Sequence, residues 1–354
     1  MENNKDKKMK NKKIKIIFIV LTLIIVVTLV FLKIRFGNKV VGDMKNIPFN
    51  GNYKNIAILD EEIYILNGNN IKSYDKEGKD KISSTIPIND AKIIGESNKL
   101  FVYDNKNMYI LDSEAKILKK LEIPFEIEYV NLKKEIIYIV GEDNYECYDF
   151  EGELITKGEI EDAISTISVS SEKTNLVVTS LSSTEDNFKS NIYLKDIEEN
   201  KEIKQTFLDE VIMHSEFVDD ERYLTVSNKQ IIVFENFQII NKIMIDDFKD
   251  ISISDSNIFV LKGDILNVYD FDLKIETSVE LESDFKNIYA EGNKAALIGG
   301  NNYGYYKHKG DKISELYSVE DIQGYIINNN GLYLLHTDTV TKAKLSVGGN
   351  NEEN

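Results

Sequence analysis

Carboxylates dominate the groups in this chain that could do chemistry. Asp and Glu number 60 against 43 Lys and Arg, and paired acids such as Glu61-Glu62 and Asp219-Asp220 recur. Two carboxyl groups about 5–10 Å apart across a sugar would suit glycoside hydrolysis, but no spacing singles out one pair. Asp75-Lys-Glu-Gly78 and Asp149-Phe-Glu-Gly152 could be mistaken for calcium loops. They lack the further oxygens such a site needs, so neither a metal nor a cofactor is expected. The histidines, His214, His308 and His336, stand far apart in the chain. Cys147 is the single cysteine, which excludes an intrachain disulfide; its setting, "NYECYDF", reads as a strand holding a buried structural thiol. No H-E-x-x-H, Cys-x-x-Cys, Gly-x-Ser-x-Gly or P-loop occurs, and no catalytic residue is assigned. Two stretches suit contact better than catalysis. "GGNNYGYYKHKG", Gly299–Gly310, gathers Tyr303, Tyr305, Tyr306 and His308 beside glycines. Such aromatics stack on sugars or anchor protein interfaces, while the competing reading is plain strand packing. "SSTEDNFKSN", Ser182–Asn191, carries Phe188 in a polar setting, as a partner-binding loop or a tolerated insertion would.

These residues must be positioned by short elements, because the chain beyond residue 48 alternates brief apolar runs with turn residues and shows no long helical periodicity. Residues 91–123 read as four strands, "AKIIG", "LFVY", "MYILD" and "ILKKLEI", joined by turns of about four residues. The end of the third strand recurs as Tyr74-Asp75, Leu111-Asp112, Tyr148-Asp149, Asp196, Phe234-Glu235 and Tyr269-Asp270, with acid-to-acid spacings of 37, 37, 47, 39 and 35. A repeat of this size is one four-stranded antiparallel blade. Asn67–Asn70 then turns strand two into strand three, and Asp75–Gly78 turns strand three into strand four. The prolines give a second register: Ile47-Pro48-Phe49, Ile86-Pro87-Ile88 and Ile123-Pro124-Phe125 leave fourth strands at spacings of 39 and 37. Residues 48–345 hold eight such units, or seven if the weak last one is no blade. That last unit lacks a fourth strand, and residues 40–47 are expected to supply it. The extra ten residues of the fourth unit fall in Ser182–Asn191, a connection on the same face as the Ile-Pro connections.

The "YDKEGK" and "YDFEGE" turns and the blade register over residues 40–345 resemble the PQQ-like and WD40-like β-propellers, most closely the membrane-anchored propeller proteins of unknown function found in clostridia. The resemblance implies an all-β propeller and, by analogy with outer-membrane assembly scaffolds, a non-catalytic role. With no Trp in the chain, the docking motif of true quinoproteins is missing, so the quinone and its dehydrogenase activity do not carry over.

The N-terminus supplies an address. Ile16–Leu32 is free of charge and apolar on every face, inside an expected transmembrane helix over residues 14–36. Seven lysines precede it, making residues 1–13 a short basic cytoplasmic tail and the propeller extracytoplasmic. A cleaved signal peptide is the rival, but cations separate the apolar run from any small-residue site and no A-x-A follows. Residues 346–354 are expected to be a disordered tail. Residues 46–354 carry 32 Lys and Arg against 57 Asp and Glu, a net charge of −25. That excludes nucleic acid as a partner. The expected function is a membrane-tethered, non-catalytic platform for an envelope protein or a cell-wall polymer. The alternatives are an envelope enzyme acting on glycans and a ligand-sensing ectodomain working with a membrane partner.

Overall fold

In the computed structural model the described residues are 55–343, apart from 184–186, 200, 237, 255, 318–320, 329–330 and 338. All lie in one compact unit, Asp43–Ala343. The expected cytoplasmic tail, transmembrane helix, closing strand 40–47 and C-terminal tail lie outside the described residues. Among those described, no helix is long and apolar enough to cross a membrane.

Strands β1–β31 form eight antiparallel sheets, each a meander in chain order. Seven have four strands and the last, β29 (Gly324–Asn328), β30 (Gly331–Leu335) and β31 (Val340–Lys342), has three among the described residues. The second sheet is representative: β5 (Lys92–Glu96), β6 (Lys99–Tyr103), β7 (Asn107–Asp112) and β8 (Ile117–Glu122). Its middle strands are apolar throughout because both faces are covered. Leu100 and Val102 pack back onto the first sheet, and Phe101 and Tyr103 pack forward onto the third. Side chains alternate along a strand, so one "KLFVY" serves two interfaces. Fourth strands are covered on one side only and alternate; β8 is exposed at most of its positions.

Eight hydrophobic clusters fill the eight junctions between successive sheets. The eighth joins the first and the last of these sheets: Ile56, Ile58, Ile63 and Tyr74 pack on Tyr333, Leu335 and Val340. At the same junction the Tyr333 hydroxyl donates to Asp60 O (2.9 Å) and the Lys342 ammonium meets Glu61 (3.0 Å). The sheets therefore close into an eight-bladed ring, each sheet being a blade and its first strand the innermost.

The recurring acid has a local cause. Asp75 Oδ1 accepts the N–H groups of Glu77 (3.0 Å) and Lys79 (2.9 Å), with Gly78 at φ +78°. Asp149 does the same for Glu151 and Glu153 with Gly152 at φ +79°, and Asp112 and Asp270 repeat it with Ala115 and Leu273 in the left-handed position. These four turns are held by their own backbone donors, as Asx turns are.

Candidate functional site

Connections between blades bond to turns within them. Ile86 N donates to Asn69 O (2.8 Å), Ile123 N to Lys106 O (2.8 Å), Ile245 N to Lys229 O (2.9 Å) and Leu281 N to Asp264 O (2.8 Å). The turns between second and third strands and the blade-to-blade connections thus share one face of the ring, as the spacing predicts. In the fourth blade this face is extended. β14 (Asn175–Ser183) and β15 (Phe188–Asp196) hold nine residues each, and the remaining described strands hold three to seven. The ladder runs to the pair Ser183↔Phe188.

Sequence reasoning expects a loop over Ser182–Asn191, whereas most of it is strand. The reason is buried polar partners that sequence does not display. The Ser190 hydroxyl donates to Glu210 O (2.8 Å), Asn191 Nδ2 donates to Asp162 (2.8 Å), and Thr206 donates to Asn191 Oδ1 (2.8 Å). At the outer end Phe188 is 55% exposed, and Leu208 at the end of β16 (Glu202–Leu208), which pairs with Lys189 and so lies on the opposite face of the sheet, is 70% exposed. Asp209 N donates to Phe188 O (2.9 Å), which carries the pairing of β15 and β16 to the hairpin's outer end.

The tyrosines singled out in the seventh blade lie elsewhere, on β27 (Asn302–Lys307). Tyr303, Tyr305 and Tyr306 are 6%, 8% and 2% exposed. Tyr303 and Tyr305 pack toward the eighth blade and Tyr306 toward the sixth, against Phe285. Gly304 is small because a side chain there would press on Phe285 and Tyr306, about 3.1 and 3.0 Å from its Cβ. In this structure the rings fill blade junctions, as the packing reading has it. His308 sits in the following turn with its N–H on Asn293 O (2.9 Å). The structure does not bring these residues to Phe188, three blades away. Nor does it join the histidines: His336 is buried with Nδ1 against Asp321 O (3.1 Å), and His214 is in the fifth blade. Cys147 is buried, and burial pushes its thiol well up, out of the reactive range.

A second feature has no counterpart in the sequence reading. A cavity of about 140 Å³ opens on the innermost strands β9 (Tyr129–Lys133), β13 (Ala163–Val169) and β17 (Ile212–Phe217) of three successive blades. Glu216 is buried at its wall. Its Oε2 accepts from His214 Nε2 (3.2 Å) and from the Lys133 ammonium, and Lys134 stands 3.9 Å from Oε1 while donating to Phe217 O (2.9 Å). Both lysines come from the third blade and reach across the fourth. Burial alone would raise the Glu216 carboxyl. The His214 hydrogen bond and the Lys133 charge outweigh it and hold the group at about 2.

Bulges shape this wall. The ladder slips between Ile164 and Thr166 in β13 and between Ile212 and His214 in β17. The first slip turns the hydroxyls of Ser165 and Thr166 together onto Thr179 (2.8 and 2.5 Å). The alternation His214-x-Glu216 could have flagged one face of a strand. No local signal could have placed Lys133, 83 positions earlier, against it.

Fold and site define a β-propeller with an extended rim hairpin and a polar channel pocket. Residues 164–345, about half the chain, match a family described as a family of unknown function, DUF5711, and the chain belongs to it. Comparison with curated proteins finds no match. Among solved structures, Saccharomyces cerevisiae Sqt1 is similar at 13% identity, with a TM-score of 0.63 over 88% of this chain and 100% of Sqt1. BamB of Moraxella catarrhalis is similar at 11% identity, TM-score 0.54, over 85% of this chain and 96% of its own. Chaetomium thermophilum Sqt1, determined bound to the N-terminus of ribosomal protein L10, is similar at 11% identity, TM-score 0.59, over 85% and 99%. At these identities the likeness is one of fold.

Proposed function

We propose that this chain is a non-catalytic interaction platform, tethered to the membrane by residues 14–36 with its propeller outside the cytoplasm, and that it binds an envelope protein. One observation carries the reading: the longest hairpin of the described strands ends in an exposed Phe188, with an exposed Leu208 on the opposite face of the same sheet, at the rim shared by the turns and blade connections. Large apolar side chains at the tip of a rigid ladder cost little entropy to dock, which is how interface anchors work. That one structurally similar propeller has been determined with a peptide bound supports a protein as the occupant. The tether and its direction rest on the apolar run and the seven lysines before it.

The test is crosslinking in living cells and capture of the tagged chain, wild type beside Phe188→Ser with Leu208→Ser. Both residues are exposed, so the fold is expected to survive the change. The expected outcome is one discrete envelope protein, lost in the variant. A partner retained by the variant would move the site off this face. Capture of a wall polymer, or of nothing, would overturn the protein partner. A C-terminal epitope shielded from antibody on intact, wall-stripped cells would overturn the orientation.

A further inference from the structure

Elsewhere on the molecule, the cavity between β9, β13 and β17 holds more donors than its own acceptors use. Lys133 and Lys134 bring two ammonium groups to one carboxylate, Glu216, whose Oε2 is already engaged twice. An ammonium has three N–H donors, and Lys133 is seen to spend one on Glu216. His214 uses Nε2 on the same oxygen, which leaves Nδ1 turned away from it. A further carboxylate within electrostatic reach of His214, Asp250 of β21 (Phe248–Ile253), already accepts the N–H groups of Ile251 and Ile288 (2.9 Å each). In a domain of net charge −25, two ammonium groups thus converge on one buried carboxylate at this wall.

We propose that this cavity is a binding site for a small carboxylate, held by Lys133 beside His214, with the Ser165 and Thr166 side of the pocket against its stem. Three observations converge. The cavity exists and is lined by the innermost strands of three successive blades. Its volume of about 140 Å³ equals that of roughly five waters, enough for a carboxylate on a short stem and too little for a polymer. And two of the wall's three innermost strands are bulged, β13 at Ser165 and β17 at Met213, as β21 is at Lys249, while β9, β1 (Ile56–Leu59) and β5 pair with their neighbours without a slip. Bulges that re-aim side chains are a feature of built sites. A carboxylate suits the pocket because the Lys133 ammonium, with N–H donors beyond the one it gives Glu216, can offer it a charge-assisted hydrogen bond. It can come as a free organic acid or as the acid terminus of a peptide entering the channel.

The proposal does not rest on the platform reading, since it uses no residue of the rim hairpin. The full purified chain is titrated calorimetrically with acetate, with succinate, and with a short peptide bearing either a free or an amidated C-terminus. Saturable binding of the acids, weaker at higher salt, is expected. So is a loss of at least about tenfold in Lys133→Met combined with Glu216→Gln, a pair that removes one charge of each sign so that no buried carboxylate is stranded. His214→Gln is the second variant and should weaken binding with Glu216 still paired to lysine. Binding of acetate or succinate assigns a free acid. Binding of only the free-terminus peptide assigns a peptide source. No saturable binding of any probe, or binding that neither variant weakens, overturns the site.

Discussion

At the scale of residues, Glu216 is where chemistry and stability meet. Its carboxyl sits at about 2, below the ordinary value of 4.5, because His214 and Lys133 outweigh its burial. A depressed acid stabilises the fold above its unfolded value and loses that stabilisation as pH falls through the folded one. Unfolding free energy should therefore drop between about pH 4.5 and pH 2, by no more than roughly 3 kcal/mol from this group. Glu216→Gln should flatten that part of the stability–pH curve; a curve unchanged by the substitution would mean that the pair contributes nothing. The turns offer a second residue-scale prediction. Gly152 stands at φ +79°, and its Cβ would approach mainly the flexible Lys119 side chain, 2.7 Å from Cδ. Gly152→Ala should cost about 1 kcal/mol, nearly all of it backbone strain, read as a lower urea midpoint. Ala115 in the same position of the second blade shows that the conformation is reachable.

At the scale of elements, packing is tightest where neighbouring strands leave no room for a side chain. A Cβ on Gly95 of β5 would lie 2.9 Å from Leu59 Cδ2 and 3.3 Å from Ile58 O of β1. The carbonyl is backbone, so Gly95→Val must push two blades apart and should cost about 2 kcal/mol or more in thermal unfolding. The rim hairpin behaves in two parts. Its outer end, at Phe188, should tolerate substitution within about 0.5 kcal/mol, since nothing there is buried. Its inner part should not. Asn191→Ala would strand the Asp162 and Thr206 partners and should cost about 1–3 kcal/mol by denaturant titration.

For the whole molecule, closure of the ring is a matter of side chains at one junction. Leu335 is buried in the cluster shared by the first and last blades. Leu335→Ala should lower stability by about 2–4 kcal/mol. If the junction is what holds the ring shut, the loss should also separate the unfolding of the end blades from the rest, visible as two calorimetric transitions in place of one. The charge of the chain, −17 overall, is a whole-molecule property too. Self-repulsion of the folded state should be screened by salt, so moderate NaCl should raise the melting temperature by a few degrees or so.

Blade length, blade number and the shared face of turns and connections were legible in the sequence. They depend on alternation and on Asp, Gly and Pro acting within a few residues of themselves. "LFVY" and the Asp75 turn encode their conformations locally, and a repeat of about 37 residues multiplies that signal eightfold. The partners of each strand were not legible in the same way. That Tyr303 and Tyr305 face one blade and Tyr306 another depends on which sheets lie either side. That Ser190 and Asn191 continue a strand depends on Glu210 and Asp162 arriving from other elements. The Lys133–His214–Glu216 pocket is the plainest case. Each residue by itself is an ordinary polar position on a short strand, and only the packing of successive blades carries a lysine of the third blade across the fourth to a buried acid of the fifth. Sequence determined the elements because their causes are short-range. Tertiary structure decided the site because burial and charge pairing act through space, between residues the chain keeps far apart.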